Sequence, residues 1–273
     1  MNQLREPKPR PNPVRVIIYL GILLGVLVPM VPQLIWAFSH RWLYPSVVPS
    51  EWSWRAWEYI TNPNTRVLSS ALTSLWIALT VTAISILVGV PAGKALGMYR
   101  FRGRGVVELI ILSPSIIPSL AVTMGMQVIF IRMGLSDTAL GVIIVHLIPT
   151  IPYMTISMAG VFANYDPAYE DQARSLGANS LRTFFLITVP AVAPGIVTGG
   201  MFAFLISWGQ YILTVIIGGG RVITLPLLLF SFAGSGDFPV TSAMSIIFLL
   251  PSIVILVFTS KYLSGRFGAT GGF

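Results

Sequence analysis

Long apolar runs separated by basic or turn-forming segments set the pattern of this chain. The first runs from Val16 to Phe38 without a charge, and the second from Val67 to Met98 with Lys94 alone near its end. The third spans Val106 to Ile131 and the fourth Thr138 to Phe162. A fifth follows Pro190 and reaches Ile217, and a sixth runs from Val240 to Tyr262. A helix needs about 20 apolar residues to cross the hydrocarbon core of a bilayer. The pattern therefore predicts an all-α, polytopic membrane protein with six transmembrane helices. The first run exceeds the length of a signal-peptide core, and no small-residue cleavage site follows it, so it is expected to stay as a helix. The chain divides into a tail (1–15), a first helix with its long loop (16–66), a five-helix core (67–262) and a second tail (263–273).

Composition supports lipid as the solvent. Hydrophobic residues make up 55% of the 273 positions and charged residues only 10%, with mean hydropathy +0.81. A soluble domain carries about 25% charged residues. With no cysteine, a disulfide scaffold is excluded. The net charge of +8 would suggest nucleic acid in a soluble protein, but its distribution explains it differently. Twelve of the 17 basic residues fall on the side that holds both termini, and Arg41, Arg55, Arg66, Arg132 and Arg221 fall on the other. The positive-inside rule then makes both termini cytoplasmic, and no nucleic-acid partner is needed. The loop from Ser39 to Arg66 carries Trp42, Tyr44, Trp52, Trp54, Trp57 and Tyr59, a density suited to the membrane interface. A short surface helix is expected over Glu51 to Ile60.

Ionisable groups inside the spans are scarce. His146 is the exception, read either as a hydrogen-bonded packing residue or as a substrate or proton contact. None of the nine acids lies mid-span, whereas a self-sufficient secondary carrier needs midplane carboxylates or broken helices. Glycines at four-residue spacing (Gly21/Gly25, Gly89/Gly93/Gly97, Gly195/Gly199) permit close helix approach. Gly89-Val90-Pro91-Ala92-Gly93-Lys94-Ala95 has one residue too few between its glycines for a phosphate loop and lacks the Ser or Thr that binds magnesium. Hydrolase and metal-enzyme motifs are missing from the sequence, so the chain is read as a non-enzyme with no cofactor of its own.

The loop from Ala163 to Pro190 is the most structured polar segment. Asp166-Pro167 starts a helix by capping and by proline's fixed φ, with Glu170 and Asp171 in the early turns. Gly177 ends it. Asn179-Ser180 caps a second amphipathic segment, Leu181 to Val189, which Pro190 is expected to stop. A connector needs far fewer residues, so this loop is expected to dock something.

Asp171-Gln172-Ala173-Arg174-Ser175-Leu176-Gly177, followed after nine residues by Ile187-Thr188-Val189-Pro190, resembles the EAA loop of ABC-importer permeases. That pattern reads Glu-Ala-Ala, three residues, Gly, nine residues, Ile, one residue, Leu-Pro. Ala173, Gly177, Ile187 and Pro190 fall in register; Asp171, Gln172 and Val189 depart from it. The resemblance implies the methionine-importer-like (type I) permease fold in a bacterial inner membrane. It also implies that Tyr169 to Gly177, including Glu170, Arg174 and Leu176, form a coupling helix seated on a cytoplasmic ATPase. Two such ATP-binding subunits, which hold ATP and magnesium, a second permease subunit and an extracytoplasmic solute-binding protein are the implied partners.

Phe204, Ser207, Trp208, Gln210 and Tyr211 form a polar-aromatic cluster in the fifth run. In this family that span lines the passage, so these residues, with His146, are the expected pathway contacts. The stretch from Trp208 to Pro251 is most similar to the spermidine/putrescine branch, although Gly209 and Gln210 stand where polyamine permeases often carry carboxylates. A sugar or another small solute is the alternative cargo.

Overall fold

The computed structural model describes residues 13–42, 45–117 and 119–270. The tail over 1–12, Tyr44 and residues 271–273 lie outside the described residues, as do the side chains of Arg15 and of 262–270. In chain order the helices are α1 (Pro13–Leu27), α2 (Met30–Trp36), α3 (Arg55–Thr61), α4 (Val67–Met98), α5 (Arg104–Ile116), α6 (Ser119–Arg132) and α7 (Ala139–Ala163). They continue as α8 (Ala168–Ser175), α9 (Ser180–Thr183), α10 (Val189–Trp208), α11 (Ile212–Gly218), α12 (Leu225–Ser235) and α13 (Phe238–Thr270). A π turn, Phe184–Thr188, joins α9 to α10.

Among the described residues, five stretches are long and apolar enough to cross a membrane: Val16–Trp36, Val67–Met98, Ala139–Ala163, Ser180–Trp208 and Phe238–Lys261. α4 has the bounds read from the sequence, and α7 begins where Thr138 caps it by accepting from Gly141 N. Three expectations are corrected. The third run is two helices, α5 and α6, of 13 and 14 residues. Ile117, the residue before Pro118, is extended (ψ 135°), as steric clash with a following proline favours. The fifth run stops at Trp208 and resumes in α11 after Gly209–Tyr211. Pro190 does not stop the amphipathic segment, because one helical stretch runs from Ser180 to Trp208. The π turn just before it widens the hydrogen-bond ladder where proline offers no N–H and its ring would crowd the preceding turn.

The loop after α2 holds more order than a single surface helix. Ser39–Arg41 (β1) pairs antiparallel with Glu51–Trp52 (β2), and α3 follows. Trp54 and Trp57 pack on Phe38 at ring distances of 5.2 and 5.5 Å, and Trp36 on Phe238 at 5.4 Å. This aromatic patch joins the loop to the start of α13, beside the Arg55–Asp237 pair (2.8 Å).

The core is the packing of α4, α7 and α10. A Cβ on Gly89 would lie 2.5 Å from Met154 Cγ, one on Gly97 2.6 Å from Ala159 O, and one on Gly199 2.6 Å from Met154 Sδ. Two of the three glycine ladders therefore bring these helices together within the chain. The Gly21/Gly25 pair faces open space instead. Phe204 and Trp208 belong to a second cluster, with Val240, Ala243 and Met244 of α13.

Candidate functional site

Two regions concentrate chemistry, one at each side of the α4–α7–α10 core. The first is α8 and its supports. Asp166 Oδ1 accepts from Ala168 N at 2.9 Å, and Asn179 Oδ1 accepts from Arg182 N at 2.8 Å. Between them Gly177 (φ +85°) turns the chain. Gly177 N donates to Arg174 O and Ala178 N to Ala173 O, at 2.9 and 3.0 Å. That pair of bonds is the Schellman closure of a helix, which needs a left-handed residue at this position.

α8 presents two unlike faces. Asp171 points outward with 73% of its side chain exposed, and Glu170 points inward with 5%. Neighbouring residues are rotated by about 100° on a helix, so only one of the two acids can be buried. Glu170 Oε1 accepts from Lys94 Nζ of α4 at 2.6 Å and from Thr188 Oγ1 of the π turn at 2.7 Å. Arg174 sits 3.5 Å from Glu170 Oε2 and 3.7 Å from Asp171, so its acid partners lie on its own helix. Desolvation on burial pushes the Glu170 carboxyl up. The bonds from Lys94 and Thr188 and the charges of Lys94 and Arg174 act the other way and hold it below its ordinary value. The stabilisation from this carboxylate is thus complete above the ordinary carboxylate range and is lost only as pH falls through its depressed value. On the outer face, Tyr169 (56% exposed), Leu176 (90%), Leu181 and Leu186 lie open. Together with Gln172, Ala173, Gly177 and Ile187, Tyr169, Leu176 and Leu186 line a groove of about 410 Å³. Pro190 is exposed at the start of α10.

The second region surrounds the break between α10 and α11. His146 of α7 is buried, with Nδ1 3.0 Å from Ser207 Oγ and Nε2 3.0 Å from Thr214 Oγ1. Thr214 donates its own proton to Gln210 O. A ring carrying its proton on Nε2 satisfies all of these groups at once, donating to Thr214 and accepting from Ser207. His146 therefore pins α10 and α11 on either side of Gly209–Tyr211. Trp208 donates Nε1–H to Phe248 O at 3.0 Å and stacks between Phe204 and Phe248. Phe204, Ser207 and Trp208 are thus sealed in packing. Gln210 and Tyr211 open into a cavity of about 310 Å³ that also takes in Pro114 of α5, Thr123 of α6 and Phe230 of α12. His146→Leu would leave the Ser207 and Thr214 hydroxyls without their ring partner, at a cost of about 1–3 kcal/mol. The expected outcome is a lower unfolding temperature of the purified protein, measured by thermal shift; an unchanged one would contradict this role.

Lys94 and Thr188 were not among the sequence-derived site residues. Lys94 is signalled by being the only charge of its run, and Thr188 by nothing local.

Residues 85–267 match the family described as binding-protein-dependent transport system inner membrane component. This chain belongs to that family. It is a permease subunit of an ABC importer and a multi-pass inner-membrane protein. It is 25% identical to the spermidine/putrescine permease PotC of Haemophilus influenzae over 75% of this chain and 79% of that protein. To the putrescine permease PotI of Escherichia coli K12 it is 25% identical over 93% and 92%. The sulfate permease CysT of Salmonella typhimurium is also 25% identical, over 80% and 84%. In structure, the chain resembles a bacterial ABC transporter involved in import of the acidic polysaccharide alginate. That match has TM-score 0.67 and 19% identity and covers 94% of this permease and 99% of the other chain. The methionine transporter MetNI matches at TM-score 0.55 and 15% identity, over 73% and 97%. The family match, the polyamine-importer relatives and the fold agree with the family read from the sequence.

Proposed function

We propose that this permease forms half of the translocation pathway for a polyamine of the spermidine or putrescine kind, and that α8 couples it to a separate cytoplasmic ATPase. The solute assignment rests on polyamine permeases among its relatives, one aligned over 93% of this chain. The coupling assignment rests on a helix capped at both ends whose outer face leaves Tyr169 and Leu176 unburied. The partners are a second permease subunit, two ATP-binding subunits carrying ATP and magnesium, and an extracytoplasmic solute-binding protein. The basic bias of the loops supports placing both termini in the cytoplasm. In the cavity, the rings of Tyr211 and Phe230 stand 4.4 Å apart, and aromatic faces attract ammonium groups. A sugar or another neutral solute is the second reading, favoured by a cavity lining that includes Gln210 and, among the described residues, no carboxylate.

The test is solute-stimulated ATPase activity and vesicle uptake by the assembled complex with its binding protein. Stimulation by putrescine or spermidine, and not by neutral sugars or sulfate, is expected; the reverse overturns the solute assignment. Uptake by this chain alone, without nucleotide, overturns the coupling. Leu176→Asp places a charge on the proposed docking face. It should reduce the ATPase recovered with the permease at least tenfold without lowering the permease itself; unchanged recovery counts against docking through α8.

A further inference from the structure

We infer that Lys94 is a positioning residue of transport: through its bond to Glu170 it links the coupling helix directly to α4, so that a displacement of α8 is delivered to a membrane span. The inference rests on the coupling role proposed for α8 and adds the route by which its motion leaves the loop. α8 has eight residues and is joined to the rest of the chain by short turns at Asn164–Pro167 and Gly177–Asn179. A helix that short holds little stiffness of its own. What ties its inner face down is the carboxylate of Glu170, whose partners come from α4 (Lys94), from the π turn leading into α10 (Thr188) and from α8 itself (Arg174).

Geometry makes Lys94 the stiffer of the two outside anchors. α4 has 32 residues and is therefore about 48 Å long, well beyond the ~30 Å hydrocarbon core. Its surplus length carries Lys94 to the level of α8. Lys94 keeps only 16% of its side chain exposed, and its ammonium also lies 5.9 Å from the centre of the Phe184 ring. A buried ion pair with a hydrogen bond and a close ring has one low-energy arrangement. Breaking it by removing one partner leaves the other charge buried without compensation. α4 in turn packs on α7 through Gly89, Gly93 and Gly97. Pulling on Lys94 thus moves the two spans that form most of the core, and α7 supplies Val145, Ile148 and Pro149 to the cavity wall. The link gives α8 a direct path to the pathway in addition to the chain connection through α10.

The experiment uses the purified permease–ATPase complex and exploits the lack of cysteine in this chain. Gln210→Cys at the cavity reports spanning-region movement through its rate of reaction with a membrane-impermeant maleimide, with and without ATP plus vanadate. In the otherwise unaltered complex, nucleotide trapping is expected to change that rate at least fivefold. Lys94→Met should remove the response while the ATPase still co-purifies and still traps nucleotide. Lys94→Arg should keep it, and the exchange of Lys94→Glu with Glu170→Lys should restore at least half of it. A full response in Lys94→Met, or none in the exchange, overturns the link. Should Lys94→Met not be recovered, the exchange and Lys94→Arg decide alone. If no ATPase accompanies the unaltered chain, the coupling role of α8 falls; if it does and Lys94→Met responds normally, only the link falls.

Discussion

Replacing Gly177 with valine is expected to abolish solute uptake and release the ATPase, while the permease still inserts into the membrane in normal amount. Gly177 sits at φ +85°, where a side chain meets its own backbone. The left-handed conformation costs an ordinary residue about 1–2 kcal/mol, and a β-branched one is a marked outlier there. A Cβ at this site would meet nothing within 4 Å, so the effect arises from the backbone alone. The bonds from Gly177 N to Arg174 O and from Ala178 N to Ala173 O close α8 only in this conformation. Losing them frays an eight-residue helix that has few other ties and shifts Leu176 and Tyr169 on its docking face. Uptake should fall more than tenfold, and co-purification of the ATPase with it. Gly177→Asn is the control, because asparagine tolerates the left-handed region; most activity should remain. Normal uptake in Gly177→Val would remove this helix from the coupling path.

Gly93→Val should have the larger effect on the protein itself. A Cβ there would collide with Met158 Cβ and would lie 2.9 Å from both Ala159 N and Thr155 O. Two of those three atoms belong to the α7 backbone, so no side-chain rotation relieves the clash, and the helices must separate. Overpacking a close-packed interface costs typically 1–3 kcal/mol; the branched side chain and rigid neighbours place this case at the upper end. The expected result is loss of most of the permease from membrane fractions, measured by immunoblot and by thermal shift of what remains. Gly21→Val, on a ladder that meets nothing among the described residues, should leave the amount of protein unchanged. Equal accumulation of both variants would show that α4 and α7 do not pack as described.

The apolar runs were legible because span length is a local quantity: about 20 apolar residues suffice whatever they pack against. α4 accordingly has the bounds that its run announced, and α7 departs from its run by one residue at each end. The caps of α8 and α9 were legible for the same reason, since Asp166, Gly177 and Asn179 act within a few residues of where they stand. Breaks were harder. Ile117 before Pro118 and Gly209 interrupt runs apolar enough to be read straight through them, while Pro190, the strongest stop signal in the loop, sits inside a continuous helix. In each case the outcome depends on how neighbouring turns adjust to a proline or a cavity.

Read alone, the residues place the protein in lipid, mark α4 and α7 as spans, and put a capped, glycine-ended helix after α7. Which acid of that helix turns inward followed from packing. The motif's register drew attention to Asp171, whereas burial selected Glu170, whose partner Lys94 lies 76 positions away. Packing likewise decided that His146 ties α7 to Ser207 and Thr214, 61 and 68 positions on, and that Phe204 and Trp208 fill the core while Gln210 and Tyr211 face the cavity. Local propensity fixes spans and caps; the pairing of distant polar groups is fixed only when packed helices leave them no water to bind instead.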